Sequence, residues 1–158
     1  MRKVLIFVAA CISALMMVGC GGGKEQSVTL TIEQSGATMD MILEAKGDIV
    51  HTMTQTSTVP LSNYGDIEDE AELEAIIEAI EVQAKTIEES YADIEGVDYS
   101  YNIENNEFNE EVKMDVSNSD TLEQLSEAGL SPVDGNASKV SLKKTQEGLT
   151  ESGWTVVE

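Results

Sequence analysis

Val28, Leu30 and Ile32 alternate with Thr29, Thr31 and Glu33. This period-2 spacing predicts a strand with one face in a core and the other in water. Gln34-Ser35-Gly36 makes a turn, after which Met39, Met41, Leu43 and Ala45 share one face, with Ile42 the exception. Lys46-Gly47-Asp48 is a short hairpin turn built on glycine. A third strand, rich in β-branched Thr and Val, runs from Ile49 to about Thr58 and stops at Pro60. Neither of its two alternating sets is clearly apolar, so the pattern leaves its register open.

The period then changes. Leu73, Ile76, Ile77, Ile80, Ala84, Ile87 and Tyr91 recur at three and four residues, which predicts one long amphipathic helix of about 23 residues. Asp69 with Glu72 reads as its capping box, and Gly96 as the glycine just past its end. Val97, Tyr99, Tyr101 and Ile103 return to period 2. Asn105-Asn106 turns the chain, and Phe108, Val112, Met114 and Val116 line one face of the next strand. Asp120 with Glu123 reads as the cap of a short helix ending near Gly129. A loop with Pro132, Gly135 and Asn136 leads to Ser141, which caps a last helix weakened by Gly148 and ended by Gly153. Trp154 and Val156 form a short terminal strand. The order β-β-β-α-β-β-α-α-β predicts an α+β domain: an antiparallel sheet of about five or six strands, with one long and two shorter helices on one face.

The first residues follow a different rule. Arg2 and Lys3 precede an apolar run from Val4 to Val18, shorter than the roughly 20 residues a helix needs to cross a bilayer. A basic start, a short apolar stretch and small residues at its end mark an export signal. Met17-Val18-Gly19-Cys20 resembles the bacterial lipobox, whose cysteine receives a diacylglyceryl group before cleavage between Gly19 and Cys20. Two acyl chains on one residue meet the requirement of two membrane-binding signals for stable anchoring. The expected organisation is a signal peptide at 1–19, an acylated Cys20 with a flexible tether to residue 27, and one domain over 28–158.

Cleavage there leaves 139 of the 158 residues, enough for one sizeable core. Cys11 goes with the signal and Cys20 is acylated, so the domain has neither disulfide nor thiolate chemistry. All 30 carboxylates lie after Cys20 while Arg2 and Lys3 are removed, taking the formal charge from −21 to −23. Such a field excludes nucleic acid, which needs a basic footprint. The domain is also expected to be repelled by anionic lipid headgroups and held off the surface that its anchor grips. A basic envelope protein or loosely bound cations are the partners it admits.

Several features taken in order resemble a known family. Lys46-Gly47-Asp48 opens the Thr-rich "VHTMTQTSTVPLSNYG"; a long helix follows, then Ile94-Glu95-Gly96-Val97; and the chain closes on "SLKKTQEGLTESGWTVVE". This is similar to the YehR-like family of uncharacterised bacterial lipoproteins, over essentially all of the mature chain. Trp154 stands where that family carries phenylalanine. The resemblance implies a lipid-anchored, single-domain α+β lipoprotein and brings no catalytic residues with it.

Candidate chemistry is sparse. His51, the sole histidine, is expected to be solvent-facing and not catalytic. Met53 reads as sharing its strand face, with Met39 and Met41 on the neighbouring strand; thioethers with an imidazole suit Cu(I), but core packing is the simpler role for these methionines. From Glu68 to Glu95 there are eleven carboxylates and one cation, Lys85. The segment "DIEDE" lacks the spacing of an EF-hand loop, so a solvated face is expected there and no metal site. Lys139, Lys143 and Lys144 gather three of the seven mature cations into one patch. The chain is expected to be a monomer without cofactor: a non-enzymatic binding or accessory module on the extracytoplasmic side of the cell membrane. The alternatives are an envelope enzyme working with carboxylates alone and a low-affinity cation-binding lipoprotein.

Overall fold

The computed structural model describes residues 23–129 and 139–157. Gly19, Cys20 and the signal, together with the loop at Pro132, Gly135 and Asn136, lie outside the described residues. The elements are β1 (Glu25–Gln34), β2 (Ala37–Lys46), β3 (Ile49–Pro60), a 3-10 turn (Leu61–Asn63), α1 (Glu70–Tyr91), β4 (Val97–Glu104), β5 (Glu107–Asp115), α2 (Ser119–Glu127), β6 (Val140–Ser141), α3 (Leu142–Glu151) and β7 (Thr155–Val156). The seven strands pair antiparallel in one sheet of order β4-β5-β3-β2-β1-β7, with β6 alongside the start of β3. The α+β architecture follows the hydrophobic pattern. The strand absent from the predicted order, β6, is two residues long and too short to show a period. β1 begins at Glu25 and so draws Glu25, Gln26 and Ser27 into the sheet.

Local chemistry explains the turns. Ser35-Gly36 and Asn105-Asn106 both have positive φ, from 53° to 77°, the mirror-image geometry that fits the twist of a two-residue hairpin and that asparagine tolerates. At α1, Asp69 accepts the Glu72 amide at 3.0 Å, and the Glu72 side chain reaches back to the Glu68 amide at 2.7 Å. This is the reciprocal cap expected from sequence, reaching one residue further back. α2 is capped differently from expectation. Asn118, not Asp120, accepts the Asp120 amide at 2.9 Å, because the side chain two residues upstream already meets the free amides. Gly96 does not end α1, which stops at Tyr91. It sits at φ +80° before β4, where a β-carbon would lie 3.2 Å from Thr121 Oγ1 and 3.3 Å from Asp115 Cβ.

Apolar side chains collect on the helix-bearing face in two clusters. The larger joins Leu30, Met41, Leu43, Ala45, Val50, Met53, Val112, Met114 and Val116 to Ile94, to Leu122 and Leu125 of α2 and to Leu142 of α3. The smaller places Leu61 and Phe108 against Ile80 and Ala84 of α1. Burying each such large side chain contributes about 1.5–3 kcal/mol. A β-bulge resolves the open register of β3. Ala45 pairs with Val50 and Glu44 with Thr52, leaving His51 as the extra residue. Val50 and Met53 therefore both point into the core, although they are three apart, at 0% and 2% exposure. No single alternation could have described that strand.

Candidate functional site

The helix-bearing face carries one polar interruption. β5 follows strict alternation through Phe108, Val112, Met114 and Val116, and the residue between the first two on that face is Glu110. Its neighbours across the ladder are Ser57 on β3 and Tyr101 on β4. Ser57 is buried and donates its hydroxyl to Glu110 Oε1 at 3.2 Å; Tyr99 donates to Oε2 at 3.2 Å. Glu110 is half-buried, and no lysine or histidine forms an ion pair with it among the described residues. It lies between the two apolar clusters, where hydroxyls compensate part of the desolvation of its charge.

Aromatic rings surround this carboxylate. Tyr91 stacks on Tyr99 with centroids 6.0 Å apart, Tyr99 meets Tyr101 at 6.2 Å, Tyr101 meets Phe108 at 6.1 Å, and Phe108 meets Tyr64 edge-on at 6.3 Å. All four tyrosines of the chain belong to the array. Burial pushes the hydroxyls of Tyr64, Tyr91 and Tyr99 above the ordinary tyrosine range, and the negative Glu110 pushes each further. Both causes favour the protonated hydroxyls, and that of Tyr99 is the one that donates to the carboxylate. A half-buried carboxylate beside aromatic rings offers the chemistry that an organic cation requires. The sequence reading passed over Glu110; the available signal was a lone acid in the apolar phase of a strand.

The residues singled out from sequence are dispersed. His51 projects at the bulge, with Nε2 3.1 Å from Glu25 Oε2 and Nδ1 3.1 Å from Thr52 Oγ1. Hydroxyl, imidazole and carboxylate thus form one chain, but the Glu25 side chain is 67% exposed, and water screens such a contact. The face shared by His51 and Met53 in the sequence reading does not exist, because the bulge puts Met53 in the core, beside Met41 of β2, and leaves His51 outside. His51 instead borders a shallow 340 Å³ hollow with Thr52, Asp98, Lys113, Asp115 and Ser117. No group of three or more metal-ligating His, Cys, Asp or Glu side chains occurs among the described residues, and no described helix is long and apolar enough to cross a membrane. The carboxylates of α1 are exposed along its length. Lys143 and Lys144 begin α3 beside the β2–β3 turn, near Lys46 and Lys24.

Fold and site define a small α+β domain whose helix-covered sheet face holds a tyrosine-framed carboxylate. Residues 26–155 match the family described as a protein of unknown function (DUF1307), and the chain belongs to that family. It is 27% identical over 149 residues to an uncharacterized lipoprotein, Lin0239, of Listeria innocua, covering 93% of this chain and 90% of that one. The NMR structure of Escherichia coli YehR has the same fold, with a TM-score of 0.62 at 18% identity over 87% of this chain and 94% of that one. An NMR structure of a Streptococcus pneumoniae TIGR4 protein aligns with a TM-score of 0.52 at 17% identity, covering 88% of each chain. The chain is thus a YehR-like member of a family of uncharacterised lipoproteins.

Proposed function

We propose that this lipoprotein is a non-enzymatic binding module of the cell envelope, held on the extracytoplasmic side by acyl chains on Cys20, and that Glu110 receives a cationic group of its partner. The observation that carries the reading is the Glu110 carboxylate itself. It occupies a core-facing position, keeps an open side, is held by Ser57 and Tyr99, and lacks an ion-pair partner among the described residues. An acid placed at an apolar strand position costs stability unless something else is gained from it, and a bound cation is the compensating gain. The lipoprotein relative and the lipobox support the anchor.

Two measurements test this. Labelled palmitate enters the wild type and not Cys20→Ser if the anchor is as stated; label in the serine variant refutes it. Titration with tetramethylammonium shifts the ring resonances of Tyr91, Tyr99 and Tyr101, and Glu110→Gln abolishes the shift. Equal shifts in both proteins would refute Glu110 as the binding group.

A further inference from the structure

The hydrogen bonds that begin the sheet also fix where the chain leaves it. The Lys24 carbonyl accepts the Gly47 amide at 3.0 Å, and the Gln26 side-chain amide donates to the Gly47 carbonyl. A β-carbon on Gly23 would lie 3.3 Å from Lys46 Cγ. Gly23 therefore rests against the β2–β3 turn, and Cys20 is three residues away, a contour of about 10 Å. α3 starts at the same corner. Asp48 receives the Leu142 amide on its carbonyl at 2.9 Å, and on its carboxylate the Lys143 amide at 2.9 Å and the Ser141 hydroxyl at 2.7 Å.

This corner gathers the cations. Lys24, Lys46, Lys143 and Lys144, with Lys139 one residue before β6, are all exposed. The carboxylates bonded into it are three. Glu25 contacts Lys46 and His51, Asp48 is tied to the start of α3, and Glu147 lies 3.9 Å from Lys143. Glu44 and Asp115 flank it one row further into the sheet, across Thr52. Among the described residues, five lysines against the three carboxylates bonded into it give the corner a formal excess of positive charge before Glu44 and Asp115 are counted. The amide end of α3 adds partial positive charge, and Ile49, 45% exposed, adds an apolar side chain.

Distance decides whether the whole-molecule charge matters here. The opposite end of the sheet holds the Ser35-Gly36 and Asn105-Asn106 turns, joined to the 3-10 turn by Asn63 to Ser35 and by Leu61 to Asn106, each at 2.9 Å. Glu33, Glu104 and Glu107 lie at that end. Strands of ten residues put the two ends roughly 33 Å apart, about four Debye lengths at physiological salt. Repulsion from those three carboxylates is screened, whereas Asp98 and Asp115 share the near end of the sheet with His51; the lysine corner is held by the tether within about one such length of the membrane surface.

We propose that this lysine corner is a docking surface for anionic lipid headgroups. The domain stands on the membrane with the β2–β3 turn down and the Ser35-Gly36 and Asn105-Asn106 turns outward, as a chain whose lipid anchor is seconded by a basic patch. The proposal rests on acylation at Cys20.

The test uses the mature acylated protein in vesicles of phosphatidylcholine alone and in vesicles mixed with phosphatidylglycerol. Lysines are acetylated and their reactivities read by mass spectrometry. Lys46, Lys143 and Lys144 should be at least about threefold less reactive on the anionic vesicles at low salt, with the protection lost at high salt and Lys85 unchanged. Equal reactivity on the two surfaces, or equal protection of Lys85, overturns the docking surface while leaving the anchor intact. Failure of the protein to float with neutral vesicles refutes the anchor and overturns the proposal with it. The acylated variant Lys46→Gln/Lys143→Gln/Lys144→Gln should float with both vesicle types, and Lys24 and Lys139 should then lose their salt-sensitive protection; retained protection counts against the corner.

Discussion

The bulge at His51 makes two single-residue deletions in β3 behave differently. Removing His51 leaves Val50 opposite Ala45 and Thr52 opposite Glu44, so the pairing closes into a regular ladder and no side chain changes face. What is lost is the His51 carbonyl that accepts the Val116 amide at 3.0 Å, and Val116 is buried. An orphaned buried donor costs about 1–3 kcal/mol, and the water-screened contact to Glu25 adds little. Removing Thr54 is different. The least disruptive rearrangement slides residues 51–53 by one place, which closes the bulge but puts Thr52 in the core and Met53 in water. Losing the burial of Met53 costs about 1.5–3 kcal/mol, and burying a hydroxyl without a partner costs about 1–3 more. Against a total stability on the order of 5–15 kcal/mol, both proteins fold but the second, with two costs added, has the clearly lower midpoint. Urea denaturation followed by far-ultraviolet circular dichroism measures both. If deletion of His51 lowers the midpoint as much as deletion of Thr54, the bulge does not set the phase of β3 and the reasoning fails.

Other consequences follow from the same contacts. In the absorbance titration of the tyrosines, Glu110→Gln should bring Tyr64, Tyr91 and Tyr99 down toward the ordinary value of 10.0 without reaching it, because burial is the larger cause of each shift. Since the folded state holds those protons more tightly, stability should be intact below pH 10 and fall as pH rises beyond it; a flat stability curve there would contradict the cluster. Asp48 is held below its ordinary 3.8 by the Lys143 amide and the Ser141 hydroxyl. Its contribution is therefore present above that value and is lost as pH falls through the folded one, and Asp48→Asn should flatten the acid limb of the curve. Gly96→Ala places a β-carbon at φ +80° against Thr121 and Asp115. It should lower stability by about 1–2 kcal/mol from the backbone alone, with contact strain added, whereas Gly148→Ala, in an open exposed position of α3, should raise it by about 1 kcal/mol. Equal effects of the two alanines in thermal denaturation would remove the special role given to Gly96.

How much of this was legible in the residues differs from element to element. The hairpin turns, the α1 stripe and the Asp69 and Ser141 caps are local, fixed by neighbours within a few positions, and their spacing alone predicts them. The cap of α2 was misplaced because Asn118 and Asp120 are both good caps and the geometry selected the first. The candidate site was harder to see. Glu110 is one acid among thirty, and only its place in the apolar phase of β5 sets it apart. Its partners lie 53 residues away at Ser57 and 11 away at Tyr99, distances over which no periodicity speaks.

Residue order along the chain thus determined what depends on short range: the apolar N-terminal run with its Cys20 motif, the alternation that makes strands, the amphipathic stripe that makes α1, and the strongly negative net charge. The tertiary structure decided what depends on which strands become neighbours. It set the bulge that separates His51 from Met53, brought four tyrosines around Glu110, and collected five lysines scattered from position 24 to 144 at the corner where the tether leaves. The physical reason is the same in each case. Pairing register and sheet order are fixed by burying the whole apolar face at once, and that collective choice is absent from any local window.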